Sequence, residues 1–292
     1  MVDDDADMEE ELTKPLVIAR GAPLIAAPLR WLAFAAGEAI TFALLGYGFI
    51  AFTHSKRTFG SLAIPIAIAI GVAGLATWAM LRAEEARLAR ELRTARSGTA
   101  TMRGMVISRR QKLPVVLRLF ATTLGTAAVL LADGERSAAL DALAAGSPIM
   151  TGGRIQRLRA IIEADAERAS GTSVALERAV HKLHTATRIG NREADLYRTH
   201  VLVKAVLEQA AEETATELYA ELAKSSDEEE RLYAVWLRTW FELEGDAAGA
   251  NEGELRLALL LARSQGAEEL VKRLEASLEV LSPLQSPPSA ST

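Results

Sequence analysis

Two apolar runs near the N-terminus constrain this chain more than any other feature. From Trp31 to Phe52 it reads WLAFAAGEAITFALLGYGFIAF, with Glu38 as the one ionisable group. At about 1.5 Å rise per residue a helix of that length covers about 33 Å, enough to cross the hydrocarbon core of a bilayer. After the polar turn His54-Ser55-Lys56-Arg57-Thr58, a second run from Phe59 to Leu81 carries no charge. Both runs are expected to span, as a helical hairpin over 31–81. A cleaved signal peptide would have a basic start and a shorter apolar core, whereas residues 1–30 begin with Asp3, Asp4, Asp5, Asp7, Glu9, Glu10 and Glu11. That segment reads as a solvated, disordered leader, or alternatively as a clamp for a basic partner.

Orientation follows the placement of Lys and Arg beside the spans. The inter-span loop has Lys56 and Arg57, whereas Arg82, Arg87, Arg90, Arg93, Arg96, Arg103, Arg109, Arg110 and Lys112 follow the second span. Both termini are therefore expected in the cytoplasm. A third run, Leu113 to Ala132, contains only Arg118 as a charge. If it spanned as well, the C-terminal domain would be periplasmic. Against this, three threonines and a glycine dilute it, and GERSAALDALAAG after it looks like the second helix of a packed hairpin.

Composition narrows the rest. The absence of cysteine excludes disulfide scaffolds, zinc-thiolate folds and iron–sulfur proteins. A net charge of −5 argues against nucleic acid, which needs concentrated basic residues. Only seven of the 33 basic residues are lysine, and alanine is abundant. That bias suggests a GC-rich bacterial genome and hence a bacterial plasma (inner) membrane.

Within the hairpin, Ala67, Gly71 and Gly74 fall on one face of the second span and are candidates for close helix packing. Glu38 lies at about the depth of Thr77, which could hydrogen-bond it, and an intramembrane carboxylate is a functional candidate. Residues 82–96 are good helix formers that should continue the second span as a stalk, with Leu81, Leu88 and Leu92 as a narrow apolar stripe. Homo-oligomerisation through the membrane helices or this stalk is one use of it. Arg103, Arg109, Arg110, Lys112 and Arg118 then alternate with Met and aliphatic residues, a pattern suited to anionic lipid headgroups. The stalk and juxtamembrane segment together cover 82–112.

The body, 113–281, has helical periodicity nearly throughout, so the fold class is all-α. Helices are expected near 115–132, 135–145, 154–169, 173–188, 192–223, 227–243, 253–264 and 267–280, separated by glycine-bearing joints. In the longest, Leu196, His200, Val203, Leu207, Ala210, Thr214, Leu218 and Leu222 predict one buried stripe. Tyr233, Trp236, Trp240 and Phe241 form an aromatic cluster. Such clusters are usually core, and any exposed part is the candidate partner-binding surface. His181 and His184 share a helix face, but a metal site there would need a third ligand such as Glu177 or Asp195. No phosphate loop, nucleophile elbow or zincin motif occurs, so no catalytic residue, metal or cofactor is expected. The Pro/Ser-rich tail, 282–292, should be disordered.

Residues 130–146 (LLADGERSAALDALAAG) resemble the middle of a tetratricopeptide repeat. Gly134 takes the inter-helix turn, Ala139 the small crossing position, Leu143 the large packing position and Gly146 the later small one. The preceding helix departs from the pattern at Thr123 and Thr126. A second stretch, 257–281, repeats the helix, glycine turn, helix layout with its small position shifted. The resemblance implies a tetratricopeptide-like α-solenoid whose concave face binds a protein or peptide; an irregular helical bundle is the alternative. The functional expectation is a membrane-anchored scaffold that binds a protein partner at the cytoplasmic face. Its rival is a small transporter or channel subunit working through Glu38.

Overall fold

The computed structural model describes residues 36–37, 40–42, 44–46, 60–112, 122–145, 153–243 and 252–281. The acidic leader, the tail, Glu38, Arg118 and most of the first apolar run lie outside them. The fold is all-α, with no strand among the described residues. Its first long helix, α1 (Gly60–Ser97), runs unbroken from the uncharged second run into the charged segment after Leu81. It does so because 82–96 is built almost wholly of Arg, Ala, Glu and Leu, which lose little side-chain freedom in a helix. Side chains of α1 are described mainly from Gly71 onward, and the uncharged stretch ends at Leu81. Among the described residues no helix is long and apolar enough to cross a membrane.

Ser97 and Gly98 end α1, and the Thr99 hydroxyl caps α2 (Ala100–Gln111) by accepting from Met102 N at 3.4 Å. There follow α3 (Leu124–Ala132), α4 (Arg136–Ala144), α5 (Gly153–Arg168), α6 (Ser173–Thr185), α7 (Arg192–Gln209), α8 (Glu212–Leu222), α9 (Glu228–Phe241), α10 (Glu252–Ser264) and α11 (Glu268–Leu281). Helices α3, α5, α7, α9 and α11 each pack on the next, and α4, α6, α8 and α10 fill in between neighbours of that series. The turns before α4 and α11 place Gly134 and Gly266 at φ +83° and +65°, a region costly for any residue with a Cβ.

The charged half of α1 is not a free stalk. It packs chiefly on α3 and α7, and Leu88, Leu92, Ala95 and Arg96 are all within 1% of complete burial. Leu88 and Leu92 of the stripe expected to serve dimerisation are therefore covered by the chain's own helices. The contact with α3 is close enough to require glycine. A Cβ built on Gly125 would stand 2.3 Å from Glu91 Oε2 and 2.7 Å from Glu91 Cβ. A terminal oxygen can swing away, but a Cβ moves only with its backbone. Gly125→Ala is accordingly expected to destabilise by about 1–3 kcal/mol through overpacking. Adding Glu91→Ala should not restore it, because the Cβ contact remains. Full rescue in the double variant, read from urea midpoints, would refute the close approach.

Three expectations about the helices need correction. The helix expected over 192–223 breaks in two. Ala210 adopts φ 54°, and the Ala211 N–H bonds back to Val206 O while Ala210 N–H bonds to Leu207 O, a Schellman-type end. Glu212 and Glu213 then occupy the first turn of α8, where the positive end of the helix dipole favours them. Nor does α7 carry a single stripe, because residues on all its faces are buried, including Glu193, Tyr197, Thr199 and Val206. It is the central helix of the body. Helix α3 begins at Leu124, not near 115, and Leu124 to Leu131 are all buried. The described half of the candidate third span is thus core of the body.

Candidate functional site: an arginine-lined groove

Where α1 turns back into α2, the two helices leave a groove of about 380 Å³. Thr94 and Glu91 come from α1 and Met102, Met105 and Val106 from α2, while Arg87, Arg90, Arg109 and Arg110 supply four guanidinium groups. A buried ionic cluster sets the position of this wall. Glu84 accepts from Arg87 Nη2 at 2.7 Å, from Arg110 Nη2 at 3.1 Å and from Thr122 N at 2.8 Å. Arg110 Nε donates to Thr126 Oγ1 at 3.0 Å. The helices α1, α2 and α3 are thereby joined through one arginine. Arg110 Nη1 and Glu91 Oε2 are buried with no hydrogen-bond partner among the described residues.

Glu91 is 3% exposed. Burial pushes its carboxyl up to about 7, Arg110 pulls it down, Glu84 raises it, and Arg87 and Arg90 lower it. No titratable side chain of α3 figures among these influences. Because the folded value lies above the ordinary 4.5, the folded state holds this proton more tightly than the unfolded chain. Stability from this group is full below pH 4.5, falls as pH rises to about 7, and stays reduced above. The loss amounts to about 3 kcal/mol at most. Glu91→Gln should remove it, so the variant gains on the parent between pH 5 and pH 8 in urea midpoints measured in detergent. A gap independent of pH would refute the assignment.

Of the residues expected at lipid headgroups, Arg109 and Lys112 are exposed. Arg103 is instead tied to Asp133 at 3.2 Å and to Gly98 O at 2.8 Å, and Arg110 to the Glu84 cluster. Thr77 lies on α1, but its side chain is outside the described set, as is that of Ala67. Gly74 is half-buried, and a Cβ at Gly71 would meet nothing within 4 Å, so close packing is absent at Gly71 among the described residues.

The aromatic cluster divides. Tyr233 and Trp236 are core, at 0% and 1% exposure, with ring centroids 5.2 Å apart, edge to face. His200 packs on both from α7. Trp240 and Phe241 are half-buried at the surface. The Arg273 guanidinium lies 4.7 Å from the Trp240 ring centroid, and its Nη1 donates to Trp240 O at 2.8 Å. Beside Trp240 a second hollow of about 260 Å³ is walled by Lys204, Glu208, Glu268 and Glu269. Burial, then Arg168, pushes the Lys204 ammonium below its ordinary value. His181 and His184 are exposed, and no group of three potential metal ligands occurs among the described residues.

Sequence reasoning missed Glu84 and Glu91 as buried groups. Their signal was spacing, since Glu84, Leu88, Glu91, Leu92 and Ala95 follow 3–4 steps on one face of α1, two acids inside an apolar stripe. No family model matches the chain, and neither does any curated protein or solved structure.

Proposed function

We propose that this chain is a membrane-anchored helical-repeat scaffold that holds a protein partner at the cytoplasmic face of a bacterial plasma membrane. One observation carries the reading: α1 is a single helix with two contrasting ends. Toward its N-terminal end Val72, Leu75 and Trp78 stand 59%, 66% and 57% exposed, and Ile40 and Leu44 of the preceding segment are exposed as well. Exposed large apolar side chains gathered on one part of a molecule mark a membrane or partner surface. Past Glu84 one face of the same helix is core of the body. An anchor built this way holds the body rigidly against the bilayer instead of on a flexible leash, and tethering raises the partner's effective concentration there.

The repeat character is supported by α4, where Ala139 and Leu143, the small and large positions of the tetratricopeptide resemblance, are its buried residues. In α11 Leu270 and Leu274 are buried after the Gly266 turn. The concave-face mode of binding fits less well, because α1 already covers part of α3 and α7. The hollow beside Trp240 is the better docking surface, with an aromatic anchor ringed by charge.

The test uses the full chain in bacterial membranes. The protein should resist alkaline extraction, a C-terminal reporter should be active in the cytoplasm, and Trp240→Ala should lose a co-purifying partner while keeping its helical signal. Release by alkali, or a reporter active only in the periplasm, would overturn the reading.

A further inference from the structure

We propose that the groove between α1 and α2 binds an anionic phospholipid, its phosphate held by Arg90, Arg109 and Arg110 and its glycerol lying against Met105 and Val106. The proposal rests on the anchoring reading and gives it a specific ligand. Three features of the groove point to it.

First, charge is unbalanced there. Glu84 is shared by Arg87 and Arg110, but among the described residues Arg90 makes only a 3.3 Å contact to its own helix carbonyl at Ala86, and Arg109 forms no ion pair. Guanidinium groups in that state suit a phosphate, which accepts two of their N–H bonds at once. Second, Arg110 is 10% exposed at its side chain, and its Nη1 is buried without a hydrogen-bond partner among the described residues. A donor left so is costly unless something accepts from it. Third, the groove is amphiphilic. Met105 is 49% exposed, and methionine adapts to irregular apolar ligands.

Position selects a lipid over a free phosphate. Arg87 and Arg90 lie six and nine residues beyond Leu81, about 9 and 14 Å along the helix axis. That is within an arginine's reach of the headgroup layer when the uncharged half of α1 spans the core.

The experiment takes full-length protein in nonionic micelles and titrates short-chain phosphatidylglycerol, phosphatidylcholine of the same chain length, and inorganic phosphate, with bound ligand counted by native mass spectrometry. Phosphatidylglycerol should bind selectively over phosphatidylcholine. The double variant Arg90→Gln/Arg109→Gln should weaken it about 30-fold, from two basic residues removed, with helix content unchanged. Equal binding of the two lipids, or a double variant that binds like the parent, overturns the proposal. So does inorganic phosphate that occupies the site alone and excludes the lipid. Alkaline extraction of the same protein separates the two readings. Extraction together with selective lipid binding removes the anchor but keeps the groove, whereas membrane retention without selectivity does the reverse.

Discussion

Arg96→Ala is expected to cost about 3–5 kcal/mol, the range for removing one partner of a buried ion pair. Arg96 is fully buried at the C-terminal end of α1. Its Nη2 reaches Glu193 Oε2 at 2.5 Å in the first turn of α7, and its Nη1 pairs with Glu229 in the first turn of α9. Each charge also sits at the helix end that favours it, cation at a C-terminus and anions at N-termini. Without Arg96, Glu229 can turn to water, since its side chain is already 21% exposed. Glu193, 4% exposed, loses the 2.5 Å pair and is left with Arg192 at 3.4 Å, itself half in solvent, and with the charge of half-buried Arg93 nearby. The loss is therefore dominated by one stranded carboxylate. That gives a sharp second expectation: Arg96→Met with Glu193→Gln should recover a large part of the loss, because no buried charge is left behind. Urea unfolding of both variants in detergent checks this. A single variant as stable as the parent, or a double variant worse than the sum of its parts, would contradict it.

The same residue shows how far the sequence could be read. Arg96 counts there as one of nine basic residues after the second apolar run, evidence for topology and nothing more. What it does depends on Glu193 and Glu229, 97 and 133 positions away, and local spacing says nothing about such a partner. The Leu88/Leu92 stripe likewise announced a covered surface without naming the cover, which turns out to be α3 and α7. Local signals fared better. Joints at Gly134 and Gly266 were legible because the turn needs a positive φ that glycine alone adopts cheaply. The joint at Ala210 was not, because alanine there looks like continuing helix, whereas the chain takes a left-handed turn at φ 54°. In the groove, the basic residues of α2 were visible as a pattern. Their division into structural Arg103 and Arg110 and available Arg109 was not, because it is set by Glu84 and Asp133 across helix contacts.

Trp236→Ala carries the other large effect and decides how partner binding must be tested. Its indole is 1% exposed, packs edge-on against Tyr233 and 6.5 Å from His200, and donates from Nε1 to Ala258 O at 2.9 Å. It therefore joins α9 to both α7 and α10. Truncating a fully buried tryptophan costs about 3–5 kcal/mol, which in a domain of this size lowers Tm by about 10 °C. Trp236→Phe should recover most of the packing and lose the hydrogen bond, leaving a deficit near 1 kcal/mol beyond the lost volume. Trp240, half-buried and stacked under Arg273, should lose far less on truncation. A partner lost on Trp236→Ala would thus report a collapsed body, whereas one lost on Trp240→Ala at nearly unchanged Tm would report a contact. Near-equal Tm losses for the two alanine variants would remove that distinction and, with it, the assignment of Trp236 to the core and Trp240 to the surface.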